Sequence, residues 1–208
     1  MTRFIFLIGY MGCGKSTLAP VLAQHLNCPW QDTDDEIAHR FGLTIPEIFN
    51  QHGESAFRAA EAKFLAQLME TALQDAPAEL DPHLQPQLID RVIATGGGFF
   101  TQAKDPAAAL ASAKKIGYCV YLKAPAPTLW QRVQASGQQA GLKTGQNAGK
   151  AIGITQRPLA LDEQTFLSRF RTREPLYLQA DLIIETPTFS APDDMATCII
   201  NFCKQPKA

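Results

Sequence analysis

The sequence lacks a strong charge of either sign, and it lacks long hydrophobic runs. Nineteen Lys and Arg residues stand against twenty Asp and Glu residues, which gives a net charge of −1. This balance argues against binding to nucleic acid or anionic lipid through overall charge, so any basic site has to be local. No apolar run approaches the roughly 18 residues that a membrane-spanning helix needs. We therefore expect no nucleic-acid partner and no membrane association.

The cysteines are few and show no pairing pattern. There are five, an odd number, and none is spaced as C-x-x-C. This usage is typical of reduced thiols and gives no zinc site, so we expect Cys28 and Cys119 to fill the core.

The apolar stretch Phe4–Ile8 is too short for the hydrophobic region of a signal peptide. We interpret it as a strand and expect a cytoplasmic protein, and a monomer because no heptad marks an interface.

The chain has the size and composition of one packed domain. Its 208 residues are 46% hydrophobic and 19% charged, which suits a single domain with a core at 1–136 and 157–203. Residues 75–88 contain three prolines and several acids, which predicts an exposed insertion. Residues 137–156 carry glycine at every fourth position among polar residues, so we expect a flexible lid there.

Short apolar runs alternate with helical patterns along the chain. Strands are predicted at 3–8, 28–32, 91–94, 118–122 and 182–185. Helices are predicted at 15–26, 33–41, 44–50, 55–74, 105–113, 127–135, 162–177 and 193–203. This alternation predicts an α/β protein with a five-stranded parallel sheet flanked by helices on both faces. The ligand site is then expected at the carboxyl ends of the strands.

A phosphate-binding loop follows the first predicted strand. Residues 9–16 read G-Y-M-G-C-G-K-S, the pattern G-x-x-x-x-G-K-[ST], and a helix is predicted next. Backbone N–H groups can curl around phosphate, Lys15 can reach the β- and γ-phosphates, and the Ser16 hydroxyl can ligate Mg²⁺. The phosphate-contacting residues are expected to be Gly12, Cys13, Gly14, Lys15, Ser16 and Thr17. The alternative is a plain glycine-rich turn.

Two further groups of charged residues are candidates for binding the molecule that accepts the phosphate group. Asp32 and Asp34 end the second strand and can serve one metal and one hydroxyl, although they can also form a helix N-cap pair. Arg58 can hold a planar anion with two parallel hydrogen bonds, with Glu61 orienting it. The alternative is a surface salt bridge between Arg58 and Glu61.

A glycine turn and two arginines in the C-terminal part of the chain are the remaining candidate site residues. Gly96, Gly97 and Gly98 follow the third strand, where a ligand can approach the backbone closely, or where the chain simply turns. Arg157 lies at the edge of the predicted lid, and an arginine there suits closure on transferring phosphate. Arg157 and Arg173 can otherwise be solvated positive charges.

Taken in order, these motifs resemble one family. P-loop, D-T-D, G-E-x-x-F-R-x-x-E, G-G-G, R-P-L and R-x-P-L-Y follow one another as in shikimate kinase, from residue 4 to 185 apart from 75–88 and about 137–153. The resemblance implies the three-layer P-loop fold of nucleoside monophosphate kinases, with a mobile lid. It also implies transfer of the γ-phosphate of ATP to the 3-hydroxyl of shikimate. The chain departs from the family in its longer 75–88 segment, its glycine-rich lid and the stretch 186–189.

The resemblance also implies a role for each site residue. Lys15 would bind phosphate, Ser16 would ligate Mg²⁺, Asp32 would hold the metal through water, and Asp34 would act as base on the reacting hydroxyl. The shikimate carboxylate would be clamped by Arg58 and Arg173, and the ring would be lined by Gly96, Gly97 and Gly98. The transferring phosphoryl would be stabilised by Arg157, and adenine would be stacked by Arg132.

Two other functions stay open at this point. One is a different small-molecule P-loop kinase acting on gluconate or a nucleoside monophosphate, although a nucleotide acceptor calls for more arginines aimed at a second phosphate. The other is a catalytically idle binding module, which would be expected to lose Lys15, Asp34 or an arginine of the clamp.

Overall fold

The chain folds around a parallel sheet, seen here in a computed structural model that describes residues 4–74, 89–142, 162–189 and 191–205. The sheet has five strands in the order β2-β3-β1-β4-β5, all of them parallel. The strands are β1 (Phe4–Ile8), β2 (Trp30–Asp32), β3 (Arg91–Ala94), β4 (Gly117–Lys123) and β5 (Leu182–Glu185). The five-stranded parallel sheet predicted from the sequence is confirmed.

Strand β1 forms the centre of the sheet. Phe4 pairs with Arg91 of β3 on one side and with Gly117 of β4 on the other. Every residue of β1 is buried, and so is all of β4 except Lys123. Strands buried on both faces require cover on both sides of the sheet, which the helices provide.

Seven α-helices surround the sheet in the described residues. They are α1 (Lys15–Leu26), α2 (Thr33–Phe41), α3 (Ile45–Gln74), α4 (Pro106–Ile116), α5 (Ala126–Leu142), α6 (Glu163–Tyr177) and α7 (Pro192–Cys203). Helix α1 packs against α7 and against β3, whereas α4 packs against α3 and β4. Helices α1 and α2 have the predicted bounds, and Gly42 ends α2 with a φ of 65°.

Three helices differ from their prediction by more than one residue, and of these α4 ends at Ile116 and not at 113. Helix α3 covers both helices predicted at 44–50 and 55–74, with a break at Gly53, where φ is 78° and ψ is 167°. Helix α5 ends at Leu142, beyond the predicted end at 135, and so includes the first residues assigned to the lid. Glycine costs a helix about 1 kcal/mol relative to alanine, a cost that neighbouring helix formers can offset. The rest of the predicted lid and the predicted insertion at 75–88 lie outside the described residues.

The core has two parts. The larger one surrounds the sheet, whereas the smaller one consists of Ile37, Ile48 and Phe57, between α2 and α3. Cys119 is buried and Cys28 packs against the larger core, as predicted, and all five cysteines are free thiols. In the described part of the chain, no helix has both the length and the apolar character needed to cross a membrane.

Candidate active site

The P-loop connects β1 to α1 through three glycines with positive φ. These are Gly9, Gly12 and Gly14, with φ values of 140°, 84° and 99°, a region that residues with a side chain rarely adopt. Gly14 precedes the first turn of α1, and no side chain caps the helix there. An anion can therefore bind at this helix N-terminus without displacing a side-chain cap, and the helix dipole favours it.

Lys15 lies folded over this loop. Its Nζ donates to the carbonyl oxygens of Gly9 and Tyr10, at 2.8 and 3.1 Å, and lies 3.4 Å from Cys13 Sγ. The residue is only 7% exposed. Its charge is therefore concentrated inside the loop, where a phosphate would replace the two carbonyl oxygens as its partner.

The Ser16 hydroxyl and the Asp32 carboxylate lie together beside the P-loop. Ser16 Oγ donates to Asp32 Oδ2 over 2.8 Å, and Asp32 Oδ1 accepts from the Asp34 backbone N–H over 3.0 Å. Asp32 is thus the N-cap of α2, so the capping interpretation is correct for this residue, and its second oxygen faces the P-loop. The donors are a hydroxyl and a carboxylate, hard oxygen ligands that fit Mg²⁺.

The Gly96–Gly98 turn brings the acceptor residues together. Its first N–H donates to the buried hydroxyl of Thr33 over 2.8 Å. A Cβ on Gly96 would collide with Asp34 Oδ1, and one on Gly98 would lie 2.7 Å from Arg58 Nη1. Two charged side chains therefore approach the backbone of this turn closely, which the absence of a Cβ allows and which a plain turn would not need.

Both acceptor-side arginines are held firmly. Arg58 Nη1 donates to Glu61 over 2.7 Å, and its Nη2 donates to Glu54 over 2.9 Å. Arg173 is 6% exposed, and its Nη1 donates to the Gly97 carbonyl oxygen over 3.2 Å. The predicted Arg58–Glu61 salt bridge exists, but Glu61 is 3% exposed, so the pair is not a surface one. Arg173 is likewise not a solvated charge.

The electrostatics of this site centre on Glu61. Burial raises the pKa of its carboxyl to about 7, although the Arg58 guanidinium opposes the shift. Burial also acts to lower the pKa of Arg58, but Glu61 and Glu54 outweigh it, and the net pKa is raised. Arg58 is thus a permanent cation on the glycine turn, whereas Glu61 can change its charge near neutral pH.

The remaining predicted site residues lie elsewhere. Arg132, on α5, donates from Nη1 to the carbonyl oxygen of Gly12 over 3.4 Å, so it lies against the P-loop. Arg157 lies outside the described residues.

Two residues received no role from the sequence. Thr33, inside D-T-D, anchors Gly96, and the Tyr177 hydroxyl donates to the Gly97 oxygen. The signal for Tyr177 is its spacing of four residues from Arg173 on one helix.

Comparison with known proteins points to one family. The family model described as shikimate kinase matches residues 11–75 and 80–204. A shikimate kinase from Rhizobium leguminosarum bv. trifolii is 32% identical over 183 residues, which cover 88% of this chain and 75% of that protein. One from Pseudomonas entomophila is 34% identical over 185 residues, covering 88% of this chain and 87% of the relative.

Solved structures lead to the same family. A shikimate kinase from Acinetobacter baumannii, in complex with shikimate, has a TM-score of 0.71 and 30% identity, covering 97% of this chain and 93% of that one. A deoxyadenosine kinase from M. mycoides, at 13% identity and a TM-score of 0.50, shares the fold alone. The chain therefore belongs to the shikimate kinase family, a family of ATP-dependent kinases.

Proposed function

We propose that the chain transfers the γ-phosphate of ATP to the 3-hydroxyl of shikimate, giving shikimate 3-phosphate and ADP. The observation that carries this proposal is the Gly96–Gly98 turn, which lies against Asp34 and Arg58 and accepts a hydrogen bond from Arg173. A carboxylate, two guanidinium groups and a turn without side chains beside a P-loop suit a phosphate acceptor that is an anion bearing hydroxyls. Shikimate has one carboxylate and three hydroxyls.

Arg58 and Arg173 bind the shikimate carboxylate in this scheme. They approach the same turn, Arg58 at Gly98 and Arg173 at Gly97. A guanidinium makes two parallel hydrogen bonds to a carboxylate, which fixes the orientation of the ligand as well as its position. Gly96, Gly97 and Gly98 line the ring, because the absence of side chains lets it lie close to the backbone.

Asp34 orients the reacting hydroxyl and accepts its proton. Its Oδ1 lies against Gly96, and its backbone N–H is held by the Asp32 carboxylate. Phosphoryl transfer depends more on alignment and charge than on covalent chemistry, so a fixed carboxylate beside the acceptor is what the reaction needs. General-base assistance of this kind contributes roughly 10²–10⁴-fold to a rate.

The P-loop binds ATP. The N–H groups of residues 12–17 surround the phosphates, and Lys15 exchanges its two carbonyl partners for phosphate oxygens. Arg132 stacks on adenine in this proposal, which its hydrogen bond to Gly12 of the P-loop supports. Arg157, whose position is not described, is assigned to the transferring phosphoryl on the family resemblance.

Ser16 and Asp32 hold Mg²⁺, Ser16 directly and Asp32 through water. The ion, when bound, neutralises charge on the phosphates. Without it, the Ser16 hydroxyl donates to Asp32 and is oriented by that bond. Mg²⁺ keeps several waters and usually takes one or two protein ligands, so these two residues suffice.

The alternative acceptors are less consistent with the geometry. A second nucleotide needs arginines around a phosphate, whereas Arg58 and Arg173 converge on an uncharged glycine turn. An idle module does not need Lys15, Asp34 and the arginine pair together. Five free thiols agree with a reducing compartment, which supports a cytoplasmic location. The monomer stays a prediction from the sequence.

One assay distinguishes the shikimate kinase reaction from the two alternative functions. ADP release is measured with shikimate, gluconate or AMP as acceptor, and the phosphorylated product is identified by mass and by ³¹P NMR. We expect turnover with shikimate alone. Comparable turnover with gluconate or AMP would show that shikimate is not the specific acceptor. If none of the three acceptors leads to ADP release, the idle binding module is favoured.

A further inference from the structure

Helix α6 carries two side chains that reach one backbone atom of the glycine turn. Arg173 Nη1 donates to the Gly97 carbonyl oxygen over 3.2 Å, and the Tyr177 hydroxyl donates to the same oxygen. The two residues are four positions apart, so both lie on one face of the helix. A single carbonyl oxygen therefore links the arginine, the tyrosine and the turn, and Thr101 Oγ1 donates to the same oxygen over a longer 3.4 Å.

Tyr177 is built into this arrangement as a donor. It is 2% exposed, and its ring packs against that of Tyr121 with a centroid separation of 5.3 Å. Burial raises the pKa of its hydroxyl, against a smaller opposing effect of Arg173. The hydroxyl thus stays protonated at neutral pH and donates a hydrogen bond to the Gly97 carbonyl oxygen.

Arg173 depends on the same turn for its orientation. Its guanidinium lies between the Gly97 oxygen and the ring of Tyr10, whose centroid is 5.6 Å away. Tyr10 in turn donates through its hydroxyl to the carbonyl oxygen of Phe166, near the beginning of α6. Because the helix is tied to the P-loop at Tyr10 and to the turn at Gly97, a shift of the Gly97 carbonyl would pass directly to the guanidinium.

We propose that Tyr177 is a positioning residue for shikimate, which fixes the Gly97 carbonyl and thereby aims the Arg173 guanidinium at the substrate carboxylate. This inference rests on the proposed function, in which Arg173 binds that carboxylate. Tyr177 contacts no reacting atom and acts through Arg173. Its hydroxyl therefore affects the KM for shikimate, whereas kcat and the KM for ATP depend on other residues.

The test removes one hydroxyl and keeps the ring. Tyr177→Phe is compared with Tyr118→Phe, which removes another buried hydroxyl, one that donates to the carbonyl oxygen of Cys203 over 3.4 Å. We expect Tyr177→Phe to raise the KM for shikimate about tenfold, the size of one lost hydrogen bond. Neither variant should change kcat or the KM for ATP appreciably, and the Tyr118 variant should also keep its KM for shikimate.

A double-mutant cycle separates positioning from general stability. The KM for shikimate and the thermal midpoint are measured for Tyr177→Phe, Arg173→Ala and the double variant. If Tyr177 acts through Arg173, Tyr177→Phe raises KM in the wild-type background and has no further effect beside Arg173→Ala. A merely structural tyrosine would lower the thermal midpoint and leave the KM for shikimate alone.

The remaining outcomes are distinct. An unchanged KM in Tyr177→Phe, with a raised KM in Arg173→Ala, overturns this inference and leaves the proposed function standing. An equal rise in both backgrounds also overturns it, because the effect would not pass through Arg173. An Arg173→Ala enzyme with normal KM removes the arginine from the clamp and this inference with it. A wild-type chain that forms no shikimate 3-phosphate refutes the proposed function itself.

Discussion

Arg58 and Glu61 form a hydrogen-bonded ion pair of 2.7 Å in which the carboxylate is almost completely buried. The pair lies one turn apart on α3, and the guanidinium reaches past Glu61 to the glycine turn at Gly98. Because the buried Glu61 carboxylate accepts a hydrogen bond from Arg58, it constrains the direction of the Arg58 guanidinium. In the proposed function, Glu61 therefore supports the carboxylate clamp by holding Arg58.

The first prediction concerns this pair. Glu61→Gln keeps the shape of the side chain but removes the charge that holds Arg58, so we expect the KM for shikimate to rise about tenfold, as for one lost charge-assisted hydrogen bond. The control is Glu54→Gln, because Glu54 also binds Arg58 but its side chain is 52% exposed. Exposed pairs contribute little. Steady-state kinetics with equal effects for the two variants would contradict the special role of Glu61.

The second prediction is a pH dependence of stability. Burial raises the pKa of the Glu61 carboxyl to about 7 in the folded chain, from its ordinary value of 4.5. Between these values the folded state binds more protons, so the contribution of Glu61 to stability falls as pH rises through the window, by up to about 3 kcal/mol, and is constant above it. Urea unfolding of wild type and Glu61→Gln near pH 5 and near pH 8 should give a difference that changes with pH. A constant difference would show that Glu61 titrates normally.

The third prediction uses the three glycines of the turn as a matched set. Gly98→Ala places a Cβ 2.7 Å from Arg58 Nη1 and should raise the KM for shikimate, whereas Gly96→Ala displaces Asp34 and should lower kcat. We expect at least a tenfold change for each, since sites that bind or react tolerate little displacement. Gly97→Ala completes the set, because its Cβ would meet no protein atom closer than 3.6 Å, so an effect there would come from the bound ring and not from a displaced side chain. If all three variants behave alike, the turn does not distinguish the two charged neighbours.

The fourth prediction concerns Asp34. Asp34→Asn keeps the size of the side chain but removes the base, so kcat should fall by roughly 10²–10⁴-fold. ATP binding should persist, because the P-loop is unaltered, and can be measured by equilibrium titration with a nucleotide analogue. A nearby control is Asp35→Asn, also in the first turn of α2. Near-normal turnover of Asp34→Asn would remove this carboxylate from the mechanism.

The sequence predicted α1 and α2 to the residue because local signals mark their ends. The P-loop lysine begins α1, and Asp32 and Gly42 cap α2. The end of α5 was missed because regularly spaced glycine is also typical of loops, whereas the helix continues to Leu142. Propensity summed over a short segment is only a weak guide where adjacent structure extends a helix.

The site was predicted as a set of residues but not as a set of contacts. Motif order identified Asp34, Arg58 and the glycine turn, all of which meet at one edge of the sheet. The bonds that hold the turn join Thr33 to Gly96 and Tyr177 to Gly97, across 63 and 80 positions of the chain. Such bonds follow from strand order, with β3 lying between β2 and β1, which no local pattern contains.

The last prediction concerns the metal. Ser16→Ala removes a hydroxyl that lies 2.8 Å from Asp32 Oδ2, so the Mg²⁺ concentration for half-maximal rate should rise by about tenfold. Asp32→Asn should act in the same direction, and it keeps an N-cap for α2, which asparagine provides about as well as aspartate. The folded state is thereby preserved, and any loss reflects the site. Thr71→Ala, on the exposed face of α3, is the control hydroxyl. Rates are measured at saturating ATP and shikimate over a Mg²⁺ series. If both site variants keep the wild-type Mg²⁺ dependence while the rate falls, the hydroxyl and carboxylate serve the P-loop and not the ion.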